Sequence, residues 1–281
     1  MHWQTTRFRI DLAEPRVMGI VNVTPDSFSD GGRHFASMRG ALAHCEKLVA
    51  DGADILDIGG ESSRPGTPPV PLEEERARVL PLLKEALRLG VPVSLDTYKP
   101  ELMREALGLG VDIINDIWAL RQPGAVEAVA ANPQCGVCLM HMHGEPQTMQ
   151  RSPLEGDAVP QVLRFLQERT QALREAGIAA GRIAWDPGIG FGKTVAQNFA
   201  LLARQRELLA GGRPLLVGWS RKSSLGSVTG LPVHDRVAAS VAAALLAVER
   251  GARVLRVHDV RETAAALQVR AATIAQDTQQ S

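Results

Sequence analysis

Short apolar runs alternate with amphipathic segments along most of the chain. The runs have the length and near-continuous hydrophobicity of buried strands, and each following segment repeats apolar residues three and four positions apart, as a helix does. Eight such pairs begin at residue 17. The predicted strands are residues 17–21, 53–58, 91–95, 111–114, 136–140, 182–185, 214–218 and 252–257.

The intervening segments predict helices that end in glycine turns. They span residues 40–50, 72–89, 100–109, 124–131, 159–176, 198–209, 235–250 and 262–274. Glycine is favoured just past a helix end, because the backbone there often turns left-handed. Gly52, Gly90, Gly110, Gly177 and Gly251 each precede an apolar run and so mark predicted turns from helix to strand.

Apolar strands that alternate with helices indicate a parallel sheet covered by helices. Eight units within 281 residues favour a closed (β/α)8 barrel over an open, doubly wound sheet. We therefore predict an α/β protein with one TIM-barrel domain over residues 1–281. Residues 1–16 should add a short antiparallel extension, and residues 276–281 should fray.

Composition narrows the classes of function. The 31 Lys and Arg residues balance 31 Asp and Glu residues, so no net positive field would attract nucleic acid or an anionic membrane. The N-terminus lacks an apolar core of the signal-peptide kind, and the apolar runs are too short to span a bilayer. Cys45, Cys135 and Cys138 cannot form a disulfide framework. We expect a soluble, cytoplasmic protein without nucleic-acid or membrane partners.

Two of the cysteines form a C-x-x-C pair. Cys135 and Cys138 are followed by His141 and His143, a combination that suggests zinc. The pair lies in or beside a predicted strand, however, where successive side chains point to opposite faces, and no second ligand cluster accompanies it. We expect buried apolar thiols rather than a metal or redox centre.

Polar and charged residues collect where the predicted strands end. The active site of a (β/α)8 barrel lies at the carboxyl ends of its strands, and the opposite ends here begin with Gly, Pro or Ala. We therefore expect the polarity of the barrel to be one-sided. The strand ends form a rim that contains Asn22, Asp57, Glu61, Arg64, Asp96, Asn115, Asp116, His141, His143, Asp186, Ser220, Arg221, Lys222, Arg256, His258 and Asp259.

Part of this rim suits a compact anion. Its cationic members are Arg64, Lys222, Arg256 and His258. The planar fork of arginine matches phosphate oxygens, and Asn22 offers an oxygen to Mg²⁺, which takes few protein ligands beside water and substrate phosphates. The combination predicts a diphosphate site. Arg64 could instead be a surface charge, and His258 a histidine satisfied within the fold.

The rest of the rim suits a flat heterocycle. Asp96 and Asp186 are carboxylate acceptors, and Asn115 adds an amide. Such a set can bind a ring rich in N–H groups. Each aspartate could instead cap the helix that follows its strand.

Residues 17–32, VMGIVNVTPDSFSDGG, pass from an apolar run into small polar residues. That pattern is typical either of a turn or of the lip of a site. The shared rim favours the second interpretation: a strand that presents Asn22, followed by a flap over residues 24–32.

Residues 186–194, DPGIGFGKT, look like a nucleotide-binding loop but match neither known spacing. Pro187 stands where a phosphate loop needs glycine, and Lys193 stands where the dinucleotide fingerprint needs its third glycine. We interpret the segment as a flexible glycine loop that lets its backbone approach a ligand closely.

Eight motifs together resemble the dihydropteroate synthase family, in order, from about residue 17 to residue 260. They are MGIVNVTPDSFSDGG, DIGGESSRPG, SLDTYKP, INDIWAL, LMHMHGEPQTMQ, DPGIGFGKT, LLVGWSRKSSLG and RVHDV. The resemblance implies a (β/α)8 transferase of folate biosynthesis, the target of sulfonamides. It implies that p-aminobenzoate is joined to 6-hydroxymethyl-7,8-dihydropterin diphosphate with loss of diphosphate, that Mg²⁺ is used, and that the protein is a homodimer.

The resemblance also implies the roles of individual residues. The pterin would contact Asp96, Asn115, Ile117, Met140, Asp186 and Lys222. The diphosphate would contact Asn22, Arg64, Arg256 and His258, with Mg²⁺ on Asn22. The p-aminobenzoate would contact Phe28, Ser63, Pro65, Phe191 and Ser223. The residues expected to act in the reaction itself are Asn22, Arg64, Asp96, Lys222, Arg256 and His258.

Three positions depart from the family pattern. Ser63 stands where Thr is common, Ile189 where Phe is frequent, and Tyr98 where a smaller residue is usual. None removes a charge, so we expect them to affect sulfonamide affinity rather than activity.

Two other functions stay open within the same superfamily: a methyltransferase that passes a methyl group from methyltetrahydrofolate to a corrinoid, and a non-catalytic pterin-binding paralogue. The predicted diphosphate cluster counts against the first, and the intact rim charges count against the second. The resemblance suggests a dimer interface on outer helices, for which the Ala-rich residues 237–248 are a candidate; such a segment could instead simply cover the barrel.

Overall fold

The computed structural model describes residues 1–23, 34–62 and 66–277, apart from the side chains of residues 34–37 and 277. The strands are β1 (His2–Gln4), β2 (Arg9–Asp11), β3 (Arg16–Asn22), β4 (Ile55–Gly59), β5 (Val93–Asp96), β6 (Ile113–Asp116), β7 (Gly136–Met140), β8 (Ile183–Asp186), β9 (Leu215–Val217) and β10 (Ala252–Val257). The α-helices are α1 (His34–Ala50), α2 (Leu72–Ala86), α3 (Pro100–Leu109), α4 (Ala125–Ala130), α5 (Ala158–Glu175), α6 (Val195–Ala203), α7 (Ser223–Thr229), α8 (Val237–Glu249) and α9 (Val260–Asp277).

Strands β3 to β10 close into a parallel barrel, which confirms the predicted (β/α)8 fold. Each strand pairs with its neighbour in sequence, and β10 pairs with β3. The register places polar residues side by side at the carboxyl ends, because Gly59 lies between Asn22 and Asp96 and Asp96 pairs with Asn115. Met140 pairs with Asp186 in the same way. The predicted rim therefore spans adjacent strands.

The N-terminal residues form the predicted antiparallel piece, and they pack against the inside of the barrel. Strand β1 pairs with β2, and Trp3 and Leu12 are fully buried. The Trp3 indole N–H donates to the Arg182 carbonyl at 2.8 Å. One apolar cluster joins this hairpin to the barrel strands: Trp3, Ile10, Leu12, Met18, Ile55, Ile113, Cys138, Ala184, Leu216 and Val254. The hairpin thus extends the barrel core on the side opposite the rim.

The prediction that the polarity of the barrel is one-sided is wrong. Asp112 is fully buried just before β6, where it accepts hydrogen bonds from the Val93 backbone and from Arg7. Arg16 forms a second ion pair, with Asp54, at 3.1 Å. These ion pairs join the N-terminal residues to the starts of the barrel strands, so their role is structural. The pattern of residues at the strand ends does not indicate that role.

The helices follow the predicted order with two differences. The segment predicted as one helix over residues 198–209 is α6 followed by a 3₁₀-helix, Gln205–Gly211. Helix α7 was not predicted, because its seven residues are too short to show an amphipathic repeat. The five predicted turn glycines all have positive φ; Gly110, for example, has φ 95° and ends α3.

The C-x-x-C cysteines are buried, as predicted. Both Cys135 and Cys138 are free thiols with no exposed surface. Burial raises the pKa of the Cys135 thiol to about 12, which keeps it protonated. Among the described helices, none has the length and hydropathy needed to cross a bilayer.

Candidate active site

An arginine bridge joins four strands at the rim. Arg256 on β10 donates from Nε to Asp57 Oδ2 and from Nη2 to Asp96 Oδ2, each at 2.6 Å. Asn115 Nδ2 donates to the same Asp57 oxygen at 3.2 Å. Asp57 is fully buried, so its carboxylate orients both the guanidinium and the amide from below the ligand site. The strand pattern identified Asp57 as a rim residue but assigned it no role.

This cluster has two carboxyl groups for one guanidinium. Burial, together with Asp57 and Glu75, raises the pKa of Asp96, although Arg256 acts in the opposite direction. The Asp57 Oδ1 atom has no hydrogen-bond partner among the described residues. The two bonds to carboxylates use two of the five N–H groups of Arg256, which leaves donors for a ligand anion.

Asp186 and Lys222 are two further opposite charges, and each shifts the pKa of the other. Asp186 ends β8 with 6% of its surface exposed, and its Oδ1 accepts from the Gly188 backbone at 2.7 Å. Burial raises its pKa, while the Gly188 N–H and Lys222 oppose the shift. Burial lowers the pKa of Lys222 to about 8, and its Nζ lies 4.3 Å from the centre of the Phe191 ring. This arrangement offers a carboxylate oxygen and an ammonium beside an aromatic wall.

The alternative that these aspartates cap helices is wrong. Lys99 precedes the first residue of α3, and Thr194 caps α6 through a reciprocal capping box with Gln197. Asp96 and Asp186 each lie several residues before the helix and point to other partners.

An apolar cluster accompanies the carboxylates. Ile117, Met140 and Phe191, all predicted to touch substrate, pack in one group. Each has at most 8% of its surface exposed. Its other members are Met142, Met149, Tyr98 and Trp118. The cluster supplies a face against which a flat ring can pack.

A tight turn after β6 holds Ile117. Asp116 accepts from the Trp118 and Leu120 backbones at 2.8 Å each. Ala119 and Leu120 have φ of 54° and 56°, which non-glycine residues rarely adopt. Burial raises the pKa of Asp116 to about 7. Asp116 is therefore a structural residue of the rim.

His258 is oriented by a serine. Ser220 Oγ accepts from the His258 backbone at 3.1 Å and lies 3.0 Å from His258 Nδ1. The one hydroxyl thus contacts both the main chain and the ring of His258, which fixes the direction of the imidazole. Arg221, by contrast, pairs with Asp259.

The remaining predicted residues are placed as follows. Asn22 ends β3 and is half-buried, and Ser223 begins α7 and is exposed. Phe28, Ser63, Arg64 and Pro65 lie outside the described residues.

The donor set suits a cation that is held mainly by its substrate. Within the described residues, no group of three or more His, Cys, Asp or Glu side chains could hold a metal ion. Asn22 contributes an oxygen at the rim, and the unpartnered, buried Oδ1 of Asp57 adds a further acceptor on the neighbouring strand. These hard oxygens fit Mg²⁺, which keeps several waters and binds substrate phosphates.

The glycines of residues 186–194 approach the protein itself. A Cβ atom on Gly188 would lie 1.8 Å from the His141 carbonyl oxygen, and one on Gly192 would lie 2.2 Å from that of His143. These two glycines are therefore needed for close packing against the protein's own main chain, and the prediction of a close approach to a ligand stays a prediction. Gly190 does face the site, since its Cβ would lie 3.3 Å from Lys222 Cδ.

A cavity of about 290 Å³ opens beside the carboxylates. Asp96 and Ile117 line it together with Tyr98 and Glu61. The Tyr98 hydroxyl donates to Glu61 at 3.0 Å, and Lys99 donates to the same carboxylate at 2.6 Å. Tyr98, one of the departures from the family pattern, thus borders the site.

Known proteins share this fold and about half of this sequence. The sequence profile of the family described as pterin binding enzyme matches residues 18–258. A dihydropteroate synthase of Neisseria meningitidis serogroup B is 53% identical over 272 residues, which cover 95% of each chain. The chain belongs to the dihydropteroate synthase family of pterin-binding enzymes.

Solved structures of the family superpose closely. The Burkholderia cenocepacia dihydropteroate synthase, crystallised with 7,8-dihydropteroate, is 53% identical, with a TM-score of 0.91 over 99% of this chain and 98% of that one. The Yersinia pestis dihydropteroate synthase, in complex with a sulfonamide drug, is 45% identical, with a TM-score of 0.92 over 98% and 100% of the two chains. Family membership therefore extends over the whole barrel and its rim.

Proposed function

We propose that this chain, a dihydropteroate synthase by family, joins p-aminobenzoate to 6-hydroxymethyl-7,8-dihydropterin diphosphate and releases diphosphate. The observation that carries the proposal is the placement of two carboxylates beside the apolar cluster. Buried Asp186 pairs in register with Met140, and Asp96, whose side chain is 14% exposed, lines one cavity with Ile117. A pterin needs both: acceptors for its N–H edge and an apolar surface for its faces.

Asp186 would anchor the pterin. Its Oδ1 is already turned by the Gly188 N–H, so Oδ2 and the remaining lone pairs can accept N–H groups from the ring. Asn115, oriented by Asp57, would add an amide, and Lys222 would donate to the ring acceptor atoms. Asp96 would accept from the opposite edge of the ring.

Arg256 and His258 would hold the diphosphate. Asp57 and Asp96 fix the guanidinium before substrate arrives, so little reorganisation is needed as charge develops. Ser220 aims the imidazole. Mg²⁺ held by Asn22 and the phosphates would neutralise part of the developing charge. Arg64 is assigned here by resemblance alone.

Phe191 and Ser223 would line the p-aminobenzoate site. Phe191 lies under the Lys222 ammonium, and Ser223 follows Lys222 in the chain. Phe28, Ser63 and Pro65 join them by resemblance alone. A sulfonamide that mimics p-aminobenzoate would compete for the same surface.

The reaction would be a largely dissociative displacement at carbon. The bond between the methylene carbon and the diphosphate oxygen breaks, and its electron pair leaves with diphosphate. The electron-rich dihydropterin spreads the positive charge left on the methylene carbon. The amine nitrogen of p-aminobenzoate then forms the new C–N bond and loses a proton. No side chain acts as a covalent nucleophile.

Diphosphate release tests this function. We expect release that requires both p-aminobenzoate and Mg²⁺, that stops when the ion is chelated and that returns when Mg²⁺ is restored. Asn22→Ala should raise the Mg²⁺ concentration for half-maximal rate by about tenfold, because one ligand is lost. Diphosphate release that does not depend on p-aminobenzoate would refute the proposed synthase activity. Diphosphate release that is unaffected by chelation would refute the proposed Mg²⁺ site.

The two alternative functions are not favoured. A methyltransferase that serves a corrinoid has no use for an arginine fixed toward an anion, and a non-catalytic paralogue has no reason to keep Arg256 and His258 in place. The related proteins reported above are synthases by name.

We further propose a homodimer through α8. This helix is apolar nearly all round, and Leu246 on its outer side keeps 45% of its surface exposed. Leu246→Arg should halve the mass seen by sedimentation, whereas Val269→Arg, at an exposed position of α9, should not. An unchanged mass in both variants would contradict the interface. The free cysteines support the cytoplasm as the proposed location, since a reducing compartment keeps thiols reduced.

A further inference from the structure

Lys193 is a buried amine whose hydrogen bonds within the described part of the chain go to main-chain carbonyls. Its surface is 2% exposed. Its Nζ lies 3.2 Å from the His141 oxygen, 2.9 Å from that of Gly188 and 3.1 Å from that of Phe191. An ammonium has three N–H groups, so each one has a partner.

The three carbonyls lie beside three residues proposed to touch substrate. His141 directly follows Met140, and Gly188 lies two residues after Asp186. The third carbonyl belongs to Phe191 itself. A single side chain thus fixes the main chain next to the proposed anchor of the pterin and next to two parts of its apolar wall.

The same segment is held by side chains on its other face. The Gly190 N–H donates to Asn198 Oδ1 at 2.8 Å, and the Gly190 carbonyl accepts from Gln150 at 2.6 Å. Asn198 also donates to Ser224 at the start of α7, beside Lys222. Residues 187–192 are therefore tied to the segment after β7 on one side and to the α7 segment on the other.

A buried lysine without a direct carboxylate partner is costly, since an ammonium loses its hydration on burial. Burial lowers the pKa of Lys193 to about 7, while Asp186 acts in the opposite direction without a direct ion pair among the described residues. A methionine would fill similar volume without that cost. Methionine, however, could not make the three hydrogen bonds that Lys193 donates to these carbonyls, and those bonds are the use that the geometry gives to the buried amine.

We propose that Lys193 is a positioning residue for the pterin site: its three hydrogen bonds set the relative placement of Met140, Asp186 and Phe191. The proposal rests on the proposed function, because those three residues are its proposed pterin contacts. Lys193 itself touches no substrate in this scheme.

Binding calorimetry with 6-hydroxymethylpterin separates this role from a role in folding. A variant that only folds poorly lowers the fraction of binding-competent protein and leaves Kd unchanged, whereas a mispositioned site raises Kd in fully folded protein. For Lys193→Met we expect full stoichiometry, a Kd raised at least about tenfold, and a kcat/KM lowered by about a hundredfold, since misplacement of about 1 Å can cost that much. Lys84→Met, an exposed position of α2, is the matched control and should change neither value.

Wild-type protein is measured first. If it binds the pterin but releases no diphosphate with p-aminobenzoate, the proposed function fails, and the Kd comparison still tests Lys193. If wild-type protein turns over and folded Lys193→Met binds within threefold of its Kd, the positioning role is overturned. Should Lys193→Met not fold, Lys193→Gln, which keeps two N–H donors without the charge, is judged by the same threefold criterion.

Discussion

Replacing Asp186 by asparagine turns one buried carboxylate into an amide of the same shape. The amide oxygen can keep the 2.7 Å bond from the Gly188 N–H, so the loop start should not move. The other position becomes an NH₂ group, which faces pterin N–H groups with donors instead of acceptors. The change therefore removes charge and acceptor capacity and leaves the packing intact.

The expected loss follows from the number of hydrogen bonds. Hydrogen bonds to charged groups contribute roughly 1.5–3 kcal/mol each, so two of them give about 3 kcal/mol after rehydration of the free ring. That corresponds to an increase of about 150-fold in Kd. Because Asp186 has only 6% of its surface exposed, water cannot take over the lost contacts easily.

The same substitution should leave the folded protein equally or more stable, although it weakens pterin binding. Burial raises the folded-state pKa of Asp186, so the folded protein holds that proton more tightly than the unfolded chain does. The wild type therefore loses stability as the pH rises above the unfolded value of about 4, and Asp186→Asn does not. At pH 7 the variant should unfold at an equal or higher denaturant concentration, and this advantage should disappear in acid.

Calorimetric binding of 6-hydroxymethylpterin and urea unfolding check both statements. Asp235→Asn, whose side chain is 56% exposed, is the control and should behave as wild type. A change in Kd of less than about threefold for Asp186→Asn would refute the assignment of the pterin anchor. A variant that is both weaker in binding and much less stable would refute the argument from burial.

Two further perturbations address the charges around the anchor. Arg256→Met leaves Asp57 and Asp96 without their shared cation, so the free energy of unfolding should fall by about 3–5 kcal/mol. Urea titration measures this fall. The control is Arg88→Met at an exposed position, which should change the free energy of unfolding by less than about 0.5 kcal/mol. If Arg256→Met lowered the free energy of unfolding by less than about 1 kcal/mol, the Arg256 bridge would not stabilise the folded protein appreciably. Because the pKa of Lys222 is lowered to about 8, kcat/KM for the pterin diphosphate should decline above about pH 8 as the ammonium is lost. In Lys222→Arg that decline should move to higher pH, since arginine stays protonated. A decline at the same pH in the variant and the wild type would contradict the role of Lys222.

Much of the architecture was determined by the sequence alone. Strand and helix periods, and glycines such as Gly110 with positive φ, depend on residues close together in the chain, so their pattern is readable directly. The ends of the predicted strands identified Asp96, Asn115 and Asp186 as rim residues, and the register brings Asp96 beside Asn115. The motif resemblance predicted the family, which the matches over residues 18–258 confirm.

Only the tertiary structure decided which partners these residues have. Arg256 meets Asp57 across 199 positions of sequence, and Lys193 reaches the His141 carbonyl across 52. Asp112, at the opposite end of the barrel, is paired for structural reasons that its position in the pattern did not indicate. Hydrogen-bond partners depend on how the barrel closes and how each buried polar group is satisfied, and these are properties of the whole chain. A local period in the sequence can place a residue on the rim, but closure of the barrel decides what it touches there.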